Sequence, residues 1–81
     1  MESEVEAVAA RVVGIVGEVL GERDVPVGEH FQDLGGSSLQ AIRICARVRK
    51  ELGVKAAPEA LFESDTVGEF SAALARAVDR A

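Results

Sequence analysis

Phe31-Gln32-Asp33-Leu34-Gly35-Gly36-Ser37-Ser38-Leu39-Gln40 runs two glycines into two serines at the head of an apolar periodic stretch, and the reading of this junction decides the fold. Ser37-Ser38-Leu39-Gln40 fits a capping box. In that motif the first hydroxyl accepts from the third helical N–H and the Gln side chain reaches back to the cap. With Ser37 as the cap, Ser38 falls on the first helical position, its hydroxyl outward and the unpaired N–H groups of the first turn beside it. Such a terminus behaves as roughly half a positive charge and stabilises an adjacent anion, so a phosphate ester on Ser38 would be accommodated there. Gly35 and Gly36 permit positive φ and close approach by an enzyme acting on the serine. Taken alone, these residues read more simply as a turn and a cap.

Downstream, the pattern predicts a helix from about Ser38 to Leu52 that stops at Gly53. Ala41, Ile44, Val48 and Leu52 form its core stripe, and Arg47, Arg49 and Lys50 lie toward its C-terminal end, where the helix dipole favours cations. Pro58 opens a short helical turn, Glu59 to Phe62. A last helix follows Thr66, whose Thr66-Val67-Gly68-Glu69 is a second capping box, with Val67, Phe70, Ala73, Leu74 and Val78 as the apolar stripe. Upstream, a third box, Ser3-Glu4-Val5-Glu6, opens a run with Val5, Val8, Val12, Ile15, Val16 and Val19 on one face and Gly21 at its end. Gly14 and Gly17 each cost about 1 kcal/mol inside a helix relative to Ala, but length and the 3.6-residue period favour helix over strand. Between the first two helices lies a long loop, about Gly21 to Gly36. Its apolar Val25, Val27, Phe31 and Leu34 are expected to pin it across the helices, because a loop this long rarely hangs free.

The chain has 81 residues, enough for one domain, 1–81. A domain of this size buries about 60–65% of the surface of its unfolded chain. Its stability should be on the order of 4–12 kcal/mol. Such a core is too thin to enclose a deep active site, which turns the expectation from enzyme toward binding or carrier module. Aromatic residues are 4% of the chain, with no Trp or Tyr, so the core is aliphatic and light. A net charge of −5 without a basic stripe argues against nucleic acid. The acidic start Met1-Glu2-Ser3-Glu4 is unlike a secretory signal, and no apolar run approaches the roughly 18 residues of a membrane span. The expectation is a soluble, cytoplasmic monomer that binds neither nucleic acid nor membrane. The single Cys allows no internal disulfide and no cysteine-rich metal site.

Asp33-Leu34-Gly35-Gly36-Ser37-Ser38-Leu39 resembles the Asp-Leu-Gly-Gly-(His/Asp)-Ser-Leu signature of peptidyl carrier proteins, the thiolation domains of nonribosomal peptide synthetases. The resemblance continues through Glu18-Val19-Leu20-Gly21, Val25 to Phe31, Ala41-Ile42-Arg43-Ile44, Glu51-Leu52-Gly53-Val54 and Leu61-Phe62-Glu63-Ser64-Asp65-Thr66-Val67. It covers about residues 5 to 78. Ser37 stands where His or Asp is usual, Asp65 where Pro is common and Val16 where Trp often occurs. The resemblance implies an all-α, acyl-carrier-protein-like four-helix bundle, three helices long and one short, with a long first loop. It implies a 4′-phosphopantetheine arm attached covalently to Ser38, flanked by Gly36, Ser37 and Leu39. The position before Leu39 and the capping logic both choose Ser38 over Ser37. It further implies a chain that tethers aminoacyl or peptidyl thioesters and catalyses nothing itself. The implied partners are a phosphopantetheinyl transferase, an adenylation domain or enzyme, and condensation, thioesterase or tailoring enzymes.

Leu39, Ile42 and Ala46 follow Ser38 at helical spacing and share its face. With Arg43 they form the expected partner-binding surface, flanked also by Arg47, although core is the competing reading. Cys45 is expected to be a small buried hydrophobe. His30, with no second ligand at metal spacing, is read as a loop residue, and no metal or catalytic residue is expected. An acyl carrier protein of a polyketide or fatty-acid pathway is the alternative, disfavoured by Gly35-Gly36 and by a second helix that is basic until Glu51. A helical interaction module that is never modified is the alternative from another class. Starting at Met1, with no tag or linker, the chain is expected to be free-standing.

Overall fold

The computed structural model describes residues 4–80. Four helices follow one another: α1 (Glu4–Leu20), α2 (Ser38–Leu52), α3 (Pro58–Glu63) and α4 (Val67–Arg80), with a 3₁₀ turn, Phe31–Leu34, inside the first loop. The three long helices and the short one match the sequence expectation. The 3₁₀ turn is an addition to it. Ser3, the expected cap of α1, lies outside the described residues. Among those residues, no helix is long and apolar enough to cross a membrane.

α1 lies chiefly along α4 and also against α2, while α3 packs on α2. Their shared core holds Val12, Ile15 and Val16 of α1, Ala41, Ile44 and Val48 of α2, Leu61 of α3, and Val67, Phe70 and Leu74 of α4, closed by Phe31 from the loop. Burial of each large aliphatic or aromatic side chain contributes roughly 1.5–3 kcal/mol. The α1 and α2 stripes follow the sequence pattern, with Val5, Val8, Val19 and Leu52 half-buried at the margins. The α4 stripe needs a correction: Ala73 is exposed, and Ser71 and Ala75 are buried instead. Buried positions 67, 70, 71, 74 and 75 alternate steps of three and one along a single face, and 73 lies off it. Ser71 Oγ is buried without a hydrogen-bond partner among the described residues, at a cost of roughly 1–3 kcal/mol.

The long loop is pinned, but not entirely by the residues expected. Phe31 is fully buried, and Val25 and Leu34 pack against the core, whereas Val27 is 46% exposed. The backbone around Val27 makes the attachment. Val67 N–H donates to the Glu29 carbonyl and Gly68 N–H to the Val27 carbonyl, both at 2.9 Å. These are first-turn donors of α4 that have no partner inside their own helix, so the loop carbonyls complete the helix while the helix anchors the loop. Thr66 Oγ1 caps the same helix through Glu69 N–H. The reciprocal half of the box is shifted by one residue, with the Glu69 carboxylate accepting from Asp65 N–H.

On the surface, Arg11 and Glu18 of α1 and Arg47 and Glu51 of α2 form a closed ring of ion pairs. Arg47 Nη2 lies 2.7 Å from Glu18 and 2.8 Å from Glu51, and Arg11 meets the same two carboxylates. Hydrogen bonds from Arg47 and then Arg11 hold the Glu18 carboxyl below its ordinary range, and those from Arg11 and then Arg47 do the same for Glu51. The ring's contribution is therefore complete above the ordinary carboxylate range and is lost as pH falls through the depressed values. Exposed pairs of this kind add little individually. The ring does fix the orientation of Arg47, which sequence spacing assigns only to the flank of a docking face.

The two helix glycines of α1 differ in their surroundings. A Cβ on Gly17 would lie 2.7 Å from the Glu22 carbonyl oxygen and 3.1 Å from Val25, so this glycine admits the returning loop. A Cβ on Gly14 would meet nothing nearer than 3.6 Å. Gly14→Ala should therefore raise stability by about 1 kcal/mol through helix propensity, and Gly17→Ala should lower it by about 1–3 kcal/mol through overpacking. Chemical denaturation of the two variants checks both signs.

Candidate functional site

The serine pair is positioned by a chain of contacts that begins at His30. His30 caps the 3₁₀ turn: its Nδ1 accepts from Gln32 N–H at 3.0 Å, and its Nε2 lies 2.8 Å from the Phe62 carbonyl. Both bonds are satisfied by the neutral ring with its proton on Nε2. His30 thus ties the loop to the end of α3, a role that its reading as a plain loop residue omits. The available signal is its place immediately before a short turn, where a side-chain acceptor is useful. Beside it, the Phe31 and Phe62 rings meet edge to face, 5.4 Å apart at 75°.

Phe31 also governs the two glycines. Gly35 terminates the 3₁₀ turn at φ 82°, a conformation that favours glycine. Gly36 has no positive φ, contrary to the expectation for it. A Cβ there would sit 2.4 Å from the Phe31 ring, so the side chain is missing because the ring occupies its place. The chain leaves Gly36 in contact with the core and enters α2 directly.

Ser37 caps that helix with a complete capping box. Its Oγ accepts from Gln40 N–H at 3.2 Å, and Gln40 Oε1 accepts from Ser37 N–H at 2.8 Å. Ser38 is the first helical residue and is exposed. Its hydroxyl has no hydrogen bond among the described residues, and the N–H groups of Ser38 and Leu39 precede the first intrahelical donor, Ala41 N–H, which meets the Ser37 carbonyl. Adjacent serines therefore differ in availability: one hydroxyl is held by the cap and the other is free.

The α2 surface divides as its spacing predicts. Ile44 is fully buried, Cys45 is 6% exposed, and Leu39 and Ile42 are 58% and 53% exposed. Arg43 and Ala46 are exposed with them. Burial pushes the Cys45 thiol above its ordinary range, with the Glu59 carboxylate adding to the effect, which suits a packing role. Among the described residues, no group of His, Cys, Asp or Glu could hold a metal ion. A groove of about 220 Å³ opens beside the free serine, lined by Ser38, Ile42, Pro58, Glu59 and Phe62. Sequence reasoning does not bring Pro58, Glu59 or Phe62 to this site, because only the packing of α3 on α2 does so.

Against known proteins, the profile described as phosphopantetheine attachment site matches residues 10–74. The chain is 38% identical over 63 residues, 78% of its length, to surfactin synthase subunit 3 of Bacillus subtilis. It is 40% identical over 69 residues, 85% of its length, to tyrocidine synthase 3 of Brevibacillus parabrevis. With tyrocidine synthase 2 of the same organism, 34% identity extends over 62 residues, 76% of the chain. The chain spans 5%, 1% and 2% of these relatives, respectively.

Proposed function

The chain belongs to the phosphopantetheine-attachment family, and from that membership we propose that it is a peptidyl carrier domain whose Ser38 bears the arm. Members of this family hold 4′-phosphopantetheine covalently on a serine. The observation that carries the assignment to Ser38 is the unequal state of the two hydroxyls, Ser37 engaged by Gln40 N–H and Ser38 exposed and uncommitted. The site fits the group in two further respects. The first-turn N–H groups of Ser38 and Leu39 suit a phosphate ester at that hydroxyl, and a groove opens directly beside Ser38. When bound, the arm supplies a flexible tether ending in a thiol that holds an acyl group as a thioester.

In this reading the 81 residues act as one carrier unit and perform no bond chemistry. They present the serine to a phosphopantetheinyl transferase and then present the cargo to an adenylation enzyme and to condensation, thioesterase or tailoring enzymes. Tethering makes each such encounter effectively intramolecular. Relatives named as surfactin and tyrocidine synthases support nonribosomal peptide synthesis as the setting, with aminoacyl or peptidyl groups as cargo. A polyketide or fatty-acid carrier is disfavoured by α2, whose charged residues are Arg43, Arg47, Arg49, Lys50 and a single acid, Glu51.

Leu39, Ile42, Arg43 and Ala46 form the partner-binding face of the proposal. Leu39 and Ile42 leave their apolar surface in water beside the modified serine, while Ile44 serves the core from the opposite side. A small apolar patch with a charged rim suits contacts that must form and break repeatedly.

Two experiments test these assignments. Folded Ser38→Ala should take up no arm from coenzyme A and a promiscuous transferase in intact-protein mass spectrometry, whereas Ser37→Ala should still be modified; the reverse pattern refutes the register. Ile42→Ala should keep the fold and slow loading by the cognate adenylating enzyme by roughly five- to thirtyfold. Ile44→Ala should lose about 2–4 kcal/mol of stability. An exchange of these two phenotypes would reverse the faces.

A further inference from the structure

We propose that Glu18, on α1 and outside the partner-binding face, sets how strongly that face attracts an acidic partner, by holding Arg47 in the ion-pair ring. The inference rests on the carrier reading above and deepens it by naming the chemistry of the partner surface and a residue that governs the contact. From residue 25 to residue 75 the only Lys and Arg are Arg43, Arg47, Arg49, Lys50 and Lys55. The first four lie on α2, while Glu29, Asp33, Glu59, Glu63, Asp65 and Glu69 occupy the loop, α3 and the entry to α4. A partner surface bearing carboxylates is therefore drawn to α2 and repelled by the elements around it, which steers the encounter.

The ring decides how much of that positive charge is available. Arg43, Arg49 and Lys50 are exposed and take part in no ion pair among the described residues. Arg47 follows Arg43 by one turn on the same side of α2, yet it is held by Glu18 Oε1 at 2.7 Å and Glu51 Oε2 at 2.8 Å. The second oxygen of each carboxylate is engaged as well: Glu18 Oε2 meets Arg11 at 3.3 Å, and Glu51 Oε1 accepts from Arg11 Nε at 2.9 Å. The ring is thus closed, with two cations and two anions, and adds no net charge to the face. It is also open to exchange. The Glu18 side chain is 52% exposed and that of Arg47 34%, so parting them leaves no charge stranded in the core. A carboxylate on a docked partner offers Arg47 the same bond that Glu18 gives it, and takes its place. Glu51, four residues along the same helix, keeps its hold on Arg47 throughout. Glu18 is therefore a positioning residue that competes with the partner for one guanidinium.

The test begins with installation of the arm from coenzyme A by a promiscuous transferase, read by intact mass. Folded protein that takes up no arm, or armed protein that no adenylating enzyme of a broad panel loads, defeats the carrier reading and this inference with it. With loading established, kcat/KM is measured at low and at physiological salt for the unsubstituted chain, Glu18→Gln, Arg47→Gln and the double variant. Thermal unfolding confirms that each is folded at the assay temperature. Glu18→Gln is expected to raise kcat/KM about two- to fivefold at low salt, chiefly through KM, the range for an exposed ion pair. The gain should shrink as salt screens it. It should appear although the variant melts no higher than the parent, a combination that a merely structural ring does not produce. In the Arg47→Gln background the same substitution should change loading little. Loading that Glu18→Gln leaves unchanged or slows, as a partner without carboxylates would give, overturns the proposal. An equal gain in the Arg47→Gln background overturns it too, by assigning the effect to net charge alone.

Discussion

The Phe31 ring occupies the space where Gly36 would carry a side chain, and much of the architecture around the serine pair depends on that contact. It fixes where the long loop ends and therefore where α2 begins. Phe31 is fully buried in the common core, so the start of α2 is referenced to that core. The ring's other partner is Phe62, which also lines the groove. Loop, groove wall and helix start thus meet at one residue, and His30 adds a directional tie across the same junction.

This arrangement separates the roles of two chemically identical neighbours. Ser37 completes the helix and has its oxygen engaged; Ser38 lies one step further along, outside the cap, with its hydroxyl exposed. Helix capping therefore also decides which of the two hydroxyls is left free. The same economy appears at α4, whose open N–H groups take the carbonyls of Glu29 and Val27. A loop with few buried side chains is held in place by a helix terminus that required acceptors.

Features that depend on local chain order are legible in the sequence. The capping box at Ser37, the stops at Gly21 and Gly53, the α2 core stripe and the exposure of Leu39 and Ile42 all follow from spacing of three and four residues or from turn chemistry. Features that depend on which elements meet are not. Positive φ, one of the two reasons offered for Gly36, is not realised there; a ring five residues earlier in the chain excludes the side chain. Hydropathy counts the Val27 side chain among the loop's four anchors, and of these it alone stays largely exposed; its carbonyl makes an attachment instead, about which hydropathy carries no information. Ala73 is apolar and so reads as core, although the buried face of α4 passes through Ser71 and Ala75. Pro58, Glu59 and Phe62 reach the serine only through the packing of α3 on α2. His30 binds across 32 residues to Phe62, beyond any local pattern.

The central claim is that the cap consumes one serine and leaves the next to bear the arm. It is tested most directly on the unsubstituted chain, exposed to coenzyme A and a phosphopantetheinyl transferase and then fragmented in the mass spectrometer between residues 37 and 38. The account predicts that the whole added mass stays with the fragment that begins at Ser38. Added mass on Ser37, or none on the folded protein, would contradict it.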